Sequence, residues 1–193
     1  MGEIVSLWRF SCNVYQHTDV QQACLRLQDQ RGIDVLLLLF CCWSARLEGQ
    51  LSITQLEKAC EISAYWTDIC IRPLRHIRQD MKLKQGLEGW EPLRKQIKSN
   101  ELAAEKSLLD SLERTLQLTQ LPQPSTTVQY VPLVMEYIIY CFPSLSLSGK
   151  ADSVYKSAIT DVAVVIYAAQ PDMQYHSLPA LVDYISNGFL RNT

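Results

Sequence analysis

Three histidines, His17, His76 and His176, stand far apart in the chain. None shares the His-Glu-x-x-His spacing that sets two imidazoles and a base on one helix face around a metal. Glu101 and Glu105 lie one helical turn apart, but no Glu-x-x-His accompanies them, so the pattern of a di-iron carboxylate bundle is incomplete. The nucleophile elbow, the phosphate-binding loop and the dinucleotide fingerprint are missing. Seven cysteines occur, at 12, 24, 41, 42, 60, 70 and 141, with no C-x-x-C pair to suggest zinc or dithiol chemistry. The residue types give no expectation of a metal, a cofactor or a catalytic residue.

Charge is more informative. Residues 72–98 hold eight basic side chains against Asp80, Glu88 and Glu91, a local charge of +5 in a chain whose net charge is −2. Arg72, Arg75, Arg78 and Lys82 are three or four residues apart and share one side of a helix; Arg94, Lys95 and Lys98 follow on the next. Such a face suits an acidic protein partner, RNA or lipid head groups. RNA is the weaker option, because no aromatic side chains interrupt the stripe for base stacking. The competing reading is a merely solvated face, or pairing with the acidic remainder of the same chain.

Trp8, Trp43 and Trp66 each fall on an apolar helical stretch. Core packing accounts for them. Between helices they could also line a pocket for a small apolar ligand, with Arg72 as a polar anchor at its mouth.

These residues must be positioned by helices. The stretch 33–43, IDVLLLLFCCW, is apolar on every side after Asp34. A helix of that kind is buried all round or lies in a membrane, and eleven residues fall short of the ~20 a bilayer requires. Asp34 is placed to cap it and Gly49 to end it, giving a central helix over about 34–48. Before it, Ile4, Leu7, Trp8, Cys12 and Tyr15 form a helical stripe over 4–16, and Asp19 with Gln22 reads as a capping box opening a helix over 20–31. Ser52 with Gln55 opens a short helix to about 61, and Ser63 a longer one to about 83 that Pro73 should kink near 69–73.

Gly86 and Gly89 mark a turn. Pro92 suits the first turn of a helix reaching about 118; its 27 residues would extend about 40 Å, so part of it should project. The segment 119–127, TQLPQPSTT, reads as a linker. Beyond it come an apolar helix over 128–142, a loop over 143–150, a helix over 152–169 with Ala158, Val162, Val165, Ile166 and Ala169 inward, and a last helix opened by Ser177 and closed by Gly188.

The pieces LWRFSCNVY (7–15), ACLRLQD (23–29), GIDVLLLLFCCW (32–43), the PLR of 73–75 and LRKQIKSNELAAEK (93–106) occur in an order that resembles an uncharacterised family of short bacterial proteins, a domain of unknown function. The resemblance covers residues 6–118. It implies an all-helical cytoplasmic protein and carries no activity, substrate or catalytic residue.

The expected fold is therefore all-α, an irregular helical bundle around a buried central helix. A domain over 6–118 carries the long helix, and a helical extension over 128–190 follows the linker. The odd cysteine count and the absence of an export signal fit reduced thiols in the cytoplasm. The leading expectation for function is a protein-interaction or adaptor module using the basic face, with self-association also open. Binding of a small apolar ligand comes second, and a helical enzyme third.

Overall fold

The computed structural model describes residues 5–47, 50–83, 89–117, 130–147, 153–170 and 177–191, and side chains in all of these except 117, 146–147, 153–155 and 188–191. The linker 119–127 lies outside them, as do Gly49, Gly86, Lys84, Glu88 and His176. Among the described residues ten α-helices follow in order: α1 Leu7–Val14, α2 Thr18–Arg31, α3 Val35–Ser44, α4 Ile53–Trp66, α5 Arg72–Leu83, α6 Trp90–Gln117, α7 Tyr130–Cys141, α8 Pro143–Leu147, α9 Ser153–Ala169 and α10 Leu178–Arg191. No strand is present among the described residues. The fold is all-α, and its helices pack on one another.

Local chemistry explains most of the boundaries. Ser6 Oγ accepts from the Arg9 amide at 3.3 Å and starts α1. Asp34 Oδ1 accepts from the amides of Leu36 and Leu37 at 3.0 and 3.1 Å and starts α3. The Ser52–Gln55 capping box is complete in both directions. Gly32, at φ 64°, ends α2 in the left-handed conformation, where the amide of Ile33 reaches back to the Leu27 carbonyl at 3.1 Å.

Several expectations need correction. In α1 the buried positions are Leu7, Phe10, Ser11 and Val14; Cys12 and Tyr15 are exposed, so the inward stripe runs along the other flank. Asp19 does not cap α2. The helix begins at Thr18, two residues before the expected start, and the Asp19 carboxylate bonds the adjacent amide of Val20. α3 ends at Ser44 rather than near 48. No break separates α4 from the helix after it at Ser63: the hydroxyl of Ser63 bonds the Asp34 carboxylate instead of capping. Residues 143–147 form the short helix α8 within the expected loop, and α10 passes Gly188 to reach Arg191.

Pro73 perturbs the chain where expected, but as a bulge. A π-helical segment, Thr67–Ile71, joins α4 to α5 immediately before it. In a π turn the hydrogen bonds run one residue further back. The ladder thereby shifts at the point where Pro73 has no N–H to offer the carbonyl of Ile69. The helix stays continuous from residue 53 to residue 83.

α3 is buried along nearly its whole length, Leu36 being partly exposed. Leu37 through Ser44 are all inaccessible, and α1, α2, α4, α6, α7 and α9 pack against it. The hydrophobic core is one cluster that extends from Leu7 to Ile185. It takes in Val131, Val134, Tyr137 and Ile138 of α7 and Ala158, Val162, Val165, Ile166 and Ala169 of α9, the last five as the sequence pattern places them. Polar ties cross the same boundary. Arg26 on α2 forms an ion pair with the buried Asp161 on α9 at 2.6 Å, Tyr137 Oη accepts from the Leu51 amide at 2.7 Å, and Arg46 donates to the Ala169 carbonyl at 3.0 Å. Among the described residues no helix is long and apolar enough to cross a membrane.

α5 and α6 pack antiparallel as a helical arm. α6 is 28 residues long, about 42 Å at 1.5 Å per residue. Its second half enters the core through Ala104, Leu108, Leu109, Leu112 and Leu116. Its first half, 91–100, is largely exposed and is backed by α5. At the outer end Trp90 Nε1 donates to the Met81 carbonyl at 2.8 Å, pinning the two helices together.

Candidate functional site: the base and outer half of the helical arm

Arg75 and Arg78 lie three residues apart on the side of α5 that faces α6. Glu101 and Glu105 lie four apart on the facing side of α6. The four side chains interlock. Arg75 Nε donates to Glu101 Oε1 at 2.8 Å and its Nη2 to Glu105 Oε1 at 2.7 Å. Arg78 Nη2 donates to Glu101 Oε1 at 3.1 Å, and its Nε donates to Glu101 Oε2. Both oxygens of Glu101 are thus engaged by guanidinium groups, which present donors in a fork that fits a carboxylate.

Glu101 is only 5 % exposed. Burial by itself raises its pKa, but the hydrogen bonds from Arg78 and Arg75 outweigh it and hold the carboxylate below its ordinary range. Glu105 moves the other way: burial raises its pKa, Arg75 only partly offsets that, and the nearby charge of Glu101 adds to it. Partial burial likewise lifts the Tyr15 hydroxyl, with the charges of Cys24 and Glu105 adding. The two arginines therefore belong to an internal network at the base of the arm. For these two the competing reading from the sequence, pairing within the same chain, describes what the structure places around them.

The other cations of the expected face differ. Arg72 is exposed and bonds Asp68, one turn back, at 2.7 Å. Arg94 is half-buried and bonds Glu91 at 3.3 Å. Lys82, Lys95 and Lys98 are exposed and form no ion pair among the described residues. They occupy the outer half of the arm, where Leu83 is 84 % and Leu93 is 52 % exposed.

The tryptophans do not share one location. Trp43 is buried at the C-terminal end of α3, against Phe40, with its indole N–H donated to the Val5 carbonyl at 2.8 Å. Trp66 is half-buried beside Thr67, whose hydroxyl bonds Asp34 at the opposite end of α3. Trp8 is half-buried on α1, with the Lys106 ammonium 6.0 Å from its ring centre. Arg72, the expected anchor of a tryptophan pocket, is turned to Asp68.

Sequence reasoning missed the wider role of Asp34. Its Oδ2 accepts from Ser63 Oγ at 2.7 Å and from Thr67 Oγ1 at 2.9 Å, tying α3 to the end of α4 and to the π segment from which the arm begins. A cap is a local signal, and the two hydroxyls are about thirty residues away, with no local signal of their own. Arg26 and Asp161 were missed for the same reason. Among the described residues no group of three or more His, Cys, Asp or Glu side chains is placed to hold a metal ion.

The helices from α1 to the middle of α6 carry every sequence piece that marked the resemblance, in one packed unit around α3. The chain belongs to the DUF2390 family. The family model, described as a protein of unknown function, matches residues 6–112. No curated protein and no solved structure matches the chain. The DUF2390 region thus includes α3, the π segment, the whole of α5 and the interlocked arginines and glutamates; α7 to α10 lie beyond it.

Proposed function

We propose that this DUF2390 protein is a non-catalytic interaction module that docks an acidic protein partner on the outer half of the α5–α6 arm. The observation that carries the reading is the freedom of Lys82, Lys95 and Lys98. They are exposed and form no ion pair among the described residues, while Arg75 and Arg78 are consumed in holding the arm together. Lysines beside exposed leucines offer both charge and apolar area, the combination a protein interface uses at its rim and centre. The partner is accordingly protein before RNA. The setting is the cytoplasm of a bacterium, in keeping with seven free thiols.

The test is affinity capture from cell extract with the wild-type chain and with a Lys82→Glu, Lys95→Glu, Lys98→Glu variant, compared by quantitative mass spectrometry. The reading expects an acidic protein that wild type retains at low salt, that added salt releases, and that the variant fails to retain. A variant that folds and keeps every wild-type partner overturns it.

A further inference from the structure

We propose that Cys141 is a thiol–disulfide exchange site with Cys41 as its resolving partner, so that a low-molecular-weight disulfide of the glutathione class converts the pair into a cystine joining α3 to α7. The two residues are 100 positions apart in sequence, yet their sulfurs are 3.9 Å apart and share a hydrogen bond. A disulfide needs about 2.05 Å, so the sulfurs must close by roughly 1.9 Å. Cys141 is only partly buried, whereas Cys41 is inaccessible. An external disulfide therefore meets Cys141 first.

The exchange balances in two steps. Cys141 loses its proton to water, and its thiolate attacks one sulfur of the small disulfide, expelling one thiolate and leaving a mixed disulfide. The Cys41 thiol then loses its proton and attacks Cys141 Sγ, expelling the second small thiolate. Two protein thiols are oxidised, one small disulfide is reduced to two thiols, and the expelled thiolates take up the two protons. The resulting bond ties α3, inside the family region, to α7 beyond it.

Cys60, on α4, borders Cys141 as well. The Cys141 thiol titrates above its ordinary value, first because of its hydrogen bond with Cys41, with burial adding and Cys60 partly offsetting. The attacking thiolate is scarce at neutral pH, and the exchange rate should climb about tenfold per pH unit between 7 and 9.

The experiment uses the whole wild-type protein and oxidised glutathione at several pH values. Free thiols are blocked with N-ethylmaleimide in denaturant, and the protein is digested without reduction and sequenced by mass spectrometry. The expected product is a Cys41–Cys141 cross-linked peptide pair, two hydrogens lighter than its separate thiols, whose formation quickens with pH. Cys141 recovered alkylated, or as a lasting glutathione adduct with Cys41 alkylated, overturns the proposal. So does a cystine linking Cys141 to Cys42 or Cys60 in place of Cys41, or a rate indifferent to pH.

Discussion

The carboxylate of Asp34 accepts four hydrogen bonds, two from the first turn of α3 and two from the hydroxyls of Ser63 and Thr67. Ser63 is itself 1 % exposed, so its hydroxyl has no recourse to water if the acceptor is removed. Asp34→Ala should therefore cost about 2–4 kcal/mol, combining a lost cap with lost hydrogen bonds to a charged group. Asp34→Asn, which can still cap, should cost less. Chemical denaturation of the two variants checks the order; an Asp34→Ala loss of only about 1 kcal/mol with a neutral Asp34→Asn would reduce Asp34 to an ordinary helix cap. The sequence made the capping half of this legible, since Asp before an apolar run is a local pattern. The other half depends on two hydroxyls that only the fold brings near. The same divide separates Ser52–Gln55, read correctly from four adjacent residues, from Arg26–Asp161, which has no local signature.

At the scale of elements, apolar periodicity located the helices but was less able to assign faces. Val162, Val165, Ile166 and Ala169 are buried as their spacing implies. The α1 stripe was misassigned because Trp8, Cys12 and Tyr15 are apolar enough to compete with Phe10 and Val14. Pro73 announced a disturbance, but not its form, a π segment over Thr67–Ile71 that leaves the helical run from 53 to 83 unbroken. The basic face shows a sharper limit. Spacing put Arg75 and Arg78 on one side of a helix correctly, but it could not tell that Glu101 and Glu105 would stand opposite them.

That pairing makes the two arginines matter for stability. Removing a partner from a buried ion network leaves charge uncompensated, and Arg75→Ala should cost about 3 kcal/mol. Lys95→Glu with Lys98→Glu, on exposed positions, should change stability by about 0.5 kcal/mol or less. Urea midpoints measured side by side decide between these roles; a costly lysine pair and a neutral arginine would exchange them.

At the scale of the molecule, α3 is the element on which both halves of the chain pack. The sequence marked it clearly, because nine consecutive residues without a polar face can be satisfied only by neighbours on every side. The sequence left open whether an extension over 128–190 is separate from a core over 6–118; the two share one hydrophobic cluster through α7 and α9. The DUF2390 match ends at residue 112, while the helices beyond it cover α2 and α3. The linker composition of 119–127 drew attention to a boundary in the chain, and composition there says nothing of contacts made on either side of it.

Native-state hydrogen exchange read by mass spectrometry tests this arrangement most directly. Amides in α3 and in α9 should be among the slowest in the protein and should open with similar free energies, as members of one cooperative core. The outer half of the arm, 91–100, should exchange faster than both. An α3 among the fastest-opening segments, or an α9 that opens well before α3, would contradict a single core built around the central helix.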